Sequence, residues 1–207
     1  MPKVSEEYKE KRRLEILEIA EKTFIDKGFS ETTMTDIVNA TGLSRGGLYH
    51  YFSNTDELYQ AIIHEKDKTA GAFFHQLVND FDTAWEGIEH YLIQAERALL
   101  NNQSSFASVN LEYFIVGRSE LGRKEFISKR YAKGIQWLVE LLSKGVRRGE
   151  FTPIQPLEAI AIYLLNIIDS IHIQLLVINV EDSKVPEQFE GVRIYLKHAL
   201  GYKELGN

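Results

Sequence analysis

The chain has no cysteine among its 207 residues. That absence excludes a disulfide framework and any thiolate-held metal centre, and it fits a reducing compartment such as the cytoplasm. Proline is scarce as well. There are four, and three of them, Pro153, Pro156 and Pro186, fall in gaps between apolar periodic segments, where helices start or stop. No stretch shows sustained two-residue alternation between hairpin turns, so strands are not expected. Positive charge is not in excess: the formal net charge of −6 removes any whole-molecule pull toward nucleic acid and leaves only a local basic site possible. The opening MPKVSEEYKEKRR lacks the apolar core of a secretory signal, so export is not expected.

What is present is helical periodicity in a chain that is 44% hydrophobic, enough for one large core or two modest ones. The pattern predicts an all-α protein of about nine helices. The first runs from Lys9 to Lys27, with Leu17, Ala20 and Phe24 on one face and Gly28 as its stop. The second begins at Thr33, whose hydroxyl can cap free N–H groups while Asp36 reaches back, and Gly42 ends it. Ser44 caps the third. After Phe52, Asn54 caps a long fourth helix to about Asp80, with Glu57 closing a second box and Leu58, Ile62, Phe73, Leu77 and Phe81 on its buried side. The remaining helices are expected over Thr83–Leu100, Ser105–Val116, Leu121–Arg148, Pro156–Val180 and Pro186–Leu200. Short, closely capped helices over 9–55 and long apolar ones over 56–204 predict two functional domains. The longest apolar run, Ala159–Ile178, is broken by Asn166, Asp169, His172 and Gln174; a buried helix fits it better than a membrane span, and no membrane partner is expected.

The stretch LSRGGLYHYF, residues 43–52, carries the chemistry. Helix, short turn and helix is the helix-turn-helix pattern, in which the second helix enters the major groove of DNA. Gly46 and Gly47 cost that helix about 1 kcal/mol each relative to Ala. Without Cβ atoms they permit close approach to bases or phosphates, or tight packing against the preceding helix. Arg45, beside the Ser44 cap, has the planar fork that bonds guanine O6 and N7 together; a solvated surface residue is the alternative. Tyr49, His50 and Tyr51 offer hydroxyl and imidazole groups to phosphates, and Tyr49 can alternatively meet a thymine methyl or pack between helices. Thr33 and Thr35 lie at the start of the second helix, where N–H groups face outward. The basic arm of Lys9, Lys11, Arg12 and Arg13 can track the DNA backbone or the minor groove. Its alternative is a solvated turn paired with the surrounding Glu6, Glu7, Glu10 and Glu15.

From Lys9 to Tyr59 the chain resembles the N-terminal DNA-binding domain of the TetR family of bacterial transcriptional regulators. The resemblance rests on the helix-one core with Phe24 and Gly28-Phe29, the TTMTDIV start of helix two and GLSRGGLYHYF. One departure stands out: many members carry lysine where Thr55 lies, so a phosphate anchor is either missing or weakened to a hydroxyl contact. The resemblance implies a homodimeric, ligand-responsive repressor of a palindromic operator in double-stranded DNA, with a hydrophobic or amphipathic small-molecule effector. The fourth helix, joining the two domains, would be the lever.

For the C-terminal part the resemblance implies a ligand pocket and a dimer interface. Candidate ligand contacts are Phe74, Tyr91, Glu112, Tyr113, Trp137, Asn166, Asp169 and His172. Asn166, Asp169 and His172 form a polar stripe that serves either hydrogen bonds in a core or dimer, or a ligand. Candidate interface residues are Ile160, Leu164, Ile171, Leu175, Val192, Tyr195 and Leu196. No catalytic constellation, metal site or cofactor motif can be assembled. Two other readings stay open: a regulator whose effector is a partner protein, and a helical enzyme or adaptor that does not bind DNA.

Overall fold

Capping chemistry sets the helix boundaries. The computed structural model describes residues 5–101 and 106–203, and among these it is helical throughout, without strands. The helices are α1 Glu6–Lys27, α2 Met34–Thr41, α3 Arg45–Tyr49, α4 Thr55–Asn79, α5 Ala84–Asn101, α6 Phe106–Gly117, α7 Leu121–Arg147, α8 Leu157–Leu175, α9 Val180–Ser183 and α10 Val185–Ala199. Nine match the expected elements; the single turn α9 is additional. α1 starts earlier than Lys9 because Ser5 accepts the Tyr8 N–H and Glu6 and Glu7 favour the positive end of the helix. The expected box on α2 forms: Thr33 Oγ1 accepts the Asp36 N–H at 3.2 Å and Asp36 accepts the Thr33 N–H at 2.9 Å. Gly42 closes α2 at φ 66°, a left-handed conformation that glycine adopts without a Cβ penalty. At α4, Asn54 accepts the Glu57 N–H, while Glu57 reaches the N–H of Ser53, one residue before the expected amide. The expected start of α6 at Ser105 and the expected end of the second domain at 204 lie outside the described residues.

One boundary is corrected. The apolar periodicity predicts a helix to Val180, but α8 ends at Leu175. There the ladder tightens: Leu176 N–H bonds Ile173 O at 3.1 Å and Val177 N–H bonds Gln174 O at 3.0 Å, after which Asn179 is extended. A tightened last turn is a usual helix ending. With neither Gly nor Pro between Pro156 and Pro186, nothing in the local sequence announces it.

The chain divides into two compact units, and α4 contributes to both. The first comprises the described residues to Thr69 together with α6, so its extent differs from 9–55. Its core joins Ile16, Leu17, Ala20 and Phe24 of α1 to Ile37, Leu48, Phe52, Leu58 and Ile62. Phe29, Tyr59 and Tyr113 form an aromatic centre, with Tyr59 stacked on Tyr113 at 4.2 Å and Phe29 edge-on to Tyr113 at 4.7 Å.

The second unit, from Ala70 through α5 and from Arg118 through α10, has a core of Leu77, Ile88, Leu92, Leu138, Leu141, Leu142, Ile160, Leu164, Phe189 and Leu196. Two buried polar side chains tie down the connection from α4 to α5. Lys144 donates to Phe81 O at 2.7 Å, and Glu150 accepts the Ala84 N–H at 2.8 Å. Phe151 lies on Gly145 so closely that a Cβ there would stand 2.1 Å from the ring. Gly145→Ala therefore has to displace that ring. Overpacking of this kind costs about 1–3 kcal/mol, and each kcal/mol lowers the melting temperature of a chain this size by about 2–4 °C, which a calorimetric melt will read.

Candidate nucleic-acid interface

The recognition segment is built on one buried residue and one cap. Leu48 of α3 is fully buried, and Ser44 Oγ accepts the Gly47 N–H at 3.1 Å. That fixes which face of the short helix points outward. Ser44, Arg45, Gly46, Tyr49 and His50 are exposed there, and Gly47 and Tyr51 are half-buried. The two glycines differ in role. A Cβ on Gly46 would meet nothing within 4 Å, so this glycine opens the surface. A Cβ on Gly47 would lie 3.2 Å from Ser44 Oγ and 3.8 Å from Leu43, so its smallness serves the cap. Neither glycine's Cβ position meets α2.

The start of α2 lies in the same unit. Thr35 is exposed, whereas the Thr33 hydroxyl is committed twice, accepting the Asp36 N–H and donating to Asp36 at 2.6 Å. Lys27 reaches the same carboxylate at 2.5 Å, and these two partners, Lys27 first, hold Asp36 far below the usual carboxylate range. Asp36 thus fastens the end of α1 to the start of α2. Thr55 is half-buried at the start of α4.

The basic arm takes the paired arrangement. Lys9 bonds Glu6 at 2.7 Å, Arg12 bonds Glu15 at 2.6 Å, and Arg13 bonds Glu10 at 2.9 Å and also Glu65. Lys11 is exposed and makes no ion pair among the described residues. Solvent-exposed pairs of this kind hold weakly, so a phosphate can displace them. Lys9 and Arg13 share a recess with His50 and Tyr51, lined also by Glu6 and Glu10. The arm and the end of α3 therefore belong to one surface.

A residue that sequence reading assigned elsewhere completes this unit. Glu112 of α6, expected at a ligand pocket, accepts the N–H groups of Phe29 at 2.7 Å and Ser30 at 2.9 Å. Tyr113 is fully buried beside it in the aromatic centre. Both belong to the first unit, whereas the other candidate ligand residues belong to the second. The turn after Gly28 exposes backbone donors, and a carboxylate from a distant part of the chain satisfies them. Burial pushes the Glu112 carboxyl up, but the bonds from Ser30 and Phe29 outweigh it and hold the group below the ordinary glutamate value.

In the second unit, Phe74 stacks on Trp137 at 5.5 Å and meets Tyr91 at 5.4 Å. Burial, and then Asp169, push the Tyr91 hydroxyl up; burial raises Asp169 against the pull of Arg130. Asn166 accepts from Tyr131 OH at 2.6 Å, and His172 is buried with its pKa lowered by desolvation.

The expected interface residues need correction. Ile160, Leu164, Ile171, Val192 and Leu196 are buried in the core of their own chain, and Leu175 and Tyr195 pack partly against it. The five buried side chains have no free surface to offer, whereas Leu175 and Tyr195 are half-buried. The opposite faces of α8 and α10 carry exposed Tyr163, Ile173 and Ile194, with Leu176 and Val177 just beyond α8. Among the described residues α8 is the one helix long and apolar enough to cross a membrane, and its buried inner face is a core face.

Comparison with known proteins agrees with this arrangement. Residues 16–62 match the family model described as bacterial regulatory proteins, tetR family, and residues 87–186 match that of the tetracyclin repressor-like C-terminal domain. The chain is 37% identical to an HTH-type transcriptional regulator, YfiR, of Bacillus subtilis (strain 168), over 96% of this chain and 97% of that one. It is 23% identical to the HTH-type transcriptional repressor KstR2 of Mycolicibacterium smegmatis (strain ATCC 700084 / mc(2)155), over 69% of this chain and 68% of that one. Among solved structures, Salmonella enterica GusR superposes with a TM-score of 0.76 at 23% identity, covering 96% of this chain and 99% of that chain.

The Glu112 clamp has a pH signature. Its folded pKa is lowered, so its contribution to stability is present above the unfolded glutamate value and is lost as pH falls through the folded value. Glu112→Gln is expected to cost about 1–2 kcal/mol at pH 7, reduced from the full worth of charge-assisted bonds by solvent exposure. Melts of both proteins at pH 7 and in acid below the glutamate range check it: the difference in melting temperature narrows in acid.

Proposed function

The chain belongs to the TetR family of bacterial transcriptional regulators, and we propose that it is a cytoplasmic homodimer that represses transcription from a palindromic operator until a small molecule binds its larger unit. The observation that carries the DNA reading is the outward face of α3: a Ser44-capped helix start presenting Arg45 beside Gly46, with no Cβ to obstruct approach. Arg45 reads a guanine edge, with bidentate contact giving about 1–3 kcal/mol of discrimination. Thr35, Tyr49, His50, Tyr51 and Lys11 contact phosphates and set the register, as Lys9 and Arg12 do on releasing their carboxylates. Thr33 and Ser44 act chiefly as caps, and Thr55 supplies a hydroxyl at the start of α4.

Dimerisation is supported by the outer face of α8 and α10, where Tyr163, Ile173 and Ile194 remain exposed on a single chain. Exposed apolar side chains on the outer faces of two helices fit an interface. A symmetric dimer then sets two recognition helices about one DNA turn apart, roughly 34–36 Å. The effector reading is supported by the rings of Phe74, Tyr91 and Trp137 with Asp169 at their margin, a set suited to a hydrophobic or amphipathic molecule. Such a molecule releases DNA only in so far as it binds better to the form with altered spacing of the recognition helices. α4, one continuous helix contributing to both units, is the element through which that spacing changes.

Two measurements test this reading. In binding to duplexes selected from a randomised library, Arg45→Ala is expected to flatten the preference at one base pair per half-site. Lys11→Ala should weaken all sequences alike and reduce the slope of log K against log salt by about 0.9. Equal binding to every duplex by the unmodified protein would refute it. In sedimentation, Ile173→Glu combined with Ile194→Glu is expected to give monomers that retain their helical content. An unchanged dimer would move the interface to another face.

A further inference from the structure

Arg45 differs from the basic arm in its partner. Lys9, Arg12 and Arg13 each bond a carboxylate, which occupies the very N–H groups that would meet DNA. Arg45 bonds none among the described residues; its guanidinium instead lies over the ring of Tyr49, 5.5 Å from the centroid. The spacing is i to i+4, which places the two side chains on one face of α3. Between them come Gly46 and Gly47, which offer no side chain, and Leu48, which is fully buried. The Tyr49 ring is thus the side chain available to Arg45 on its own helix, and it is 41% exposed, so the pair stands on the surface rather than in the core.

An aromatic face holds a guanidinium differently from a carboxylate. The attraction comes from the ring's negative face and restricts the plane of the cation, while the in-plane N–H donors stay free. A long side chain with many rotamers is thereby oriented before binding, and the fork that reads a base stays free.

We propose that Tyr49, beside its phosphate contact, is a positioning residue for base selection, its ring and not its hydroxyl holding the Arg45 fork toward the guanine edge. The inference rests on the reading of Arg45 as the base contact. It assigns Tyr49 an effect on which sequence is bound, distinct from an effect on how tightly any DNA is bound.

The test is a double-mutant cycle on the full-length protein, scored as preference between the best duplex selected from a random library and the same duplex with single base pairs exchanged. Tyr49→Leu removes the ring while keeping an apolar helix former; Tyr49→Phe keeps the ring and removes the hydroxyl. Circular dichroism melts of each variant check that the fold is kept. Tyr49→Leu is expected to reduce discrimination about two- to five-fold, the worth of an exposed cation–ring pair, at the same base pair that Arg45→Ala affects. Tyr49→Phe should restore that discrimination even where it weakens all duplexes alike. With Arg45→Ala already present, Tyr49→Leu should change discrimination no further. If Arg45→Ala flattens the preference but Tyr49→Leu lowers binding to every duplex equally, or adds its full effect in the double variant, the positioning role is overturned and Arg45 keeps its own. If Tyr49→Phe loses as much discrimination as Tyr49→Leu, the hydroxyl acts and the ring does not. If Arg45→Ala leaves every preference intact, base reading by Arg45 fails, and the role of Tyr49 with it.

Discussion

A five-residue helix has no stability of its own, because nucleation fixes several residues for a single hydrogen bond. α3 exists because Leu48 is drawn into the core of the first unit and Ser44 takes the Gly47 N–H. Everything proposed for DNA recognition depends on that pair of contacts. The buried leucine sets the rotation of the helix about its axis, and the rotation decides that Arg45, Gly46 and Tyr49 face outward. The two glycines weaken the helix by about 1 kcal/mol each, and burial of a leucine, about 1.5–3 kcal/mol, offsets that loss. Arg45 is therefore presented from a segment held by its surroundings.

Those surroundings extend further along the chain than the helix-turn-helix. α6 belongs to the first unit, and its Glu112 satisfies the amides of Phe29 and Ser30 where the chain turns from α1 toward α2. Asp36 then fastens α1 to α2 through Lys27. The connection from α1 to α2 is thus braced by two carboxylates, and the aromatic centre of the unit is shared between α4 and α6 through Tyr59 and Tyr113. Gly28 fits this scheme: at φ 83° it directs the chain into the turn, and a Cβ there would stand 2.8 Å from the Glu112 carboxylate.

Local chemistry made much of this legible in the sequence. Thr33 with Asp36, Ser44 before the glycines, and Asn54 with Glu57 lie three residues apart or less, and each placed a helix start to within a residue. The TetR-family resemblance also rested on contiguous residues, and the comparisons bear it out. Contacts across long separations were not legible. Glu112 meets Phe29 from 83 positions away, and nothing in its own neighbourhood distinguishes it from a pocket residue. The α8 and α10 faces show the same limit: periodicity identified Ile160, Leu164 and Leu196 as buried, but it carries no information on whether the same chain or a second one covers them. The end of α8 was hidden for a related reason, since Leu175 to Ile178 continue the apolar run without a breaker.

The central claim is that Arg45 reads the major-groove edge of a guanine. Replacing single guanines of the selected duplex by 7-deazaguanine removes the N7 acceptor and leaves base pairing intact. This substitution is expected to weaken binding by the unmodified protein at one position in each half-site and to leave binding by Arg45→Ala unchanged there. Binding that tolerates the substitution at every guanine, or an equal penalty in Arg45→Ala, would contradict it.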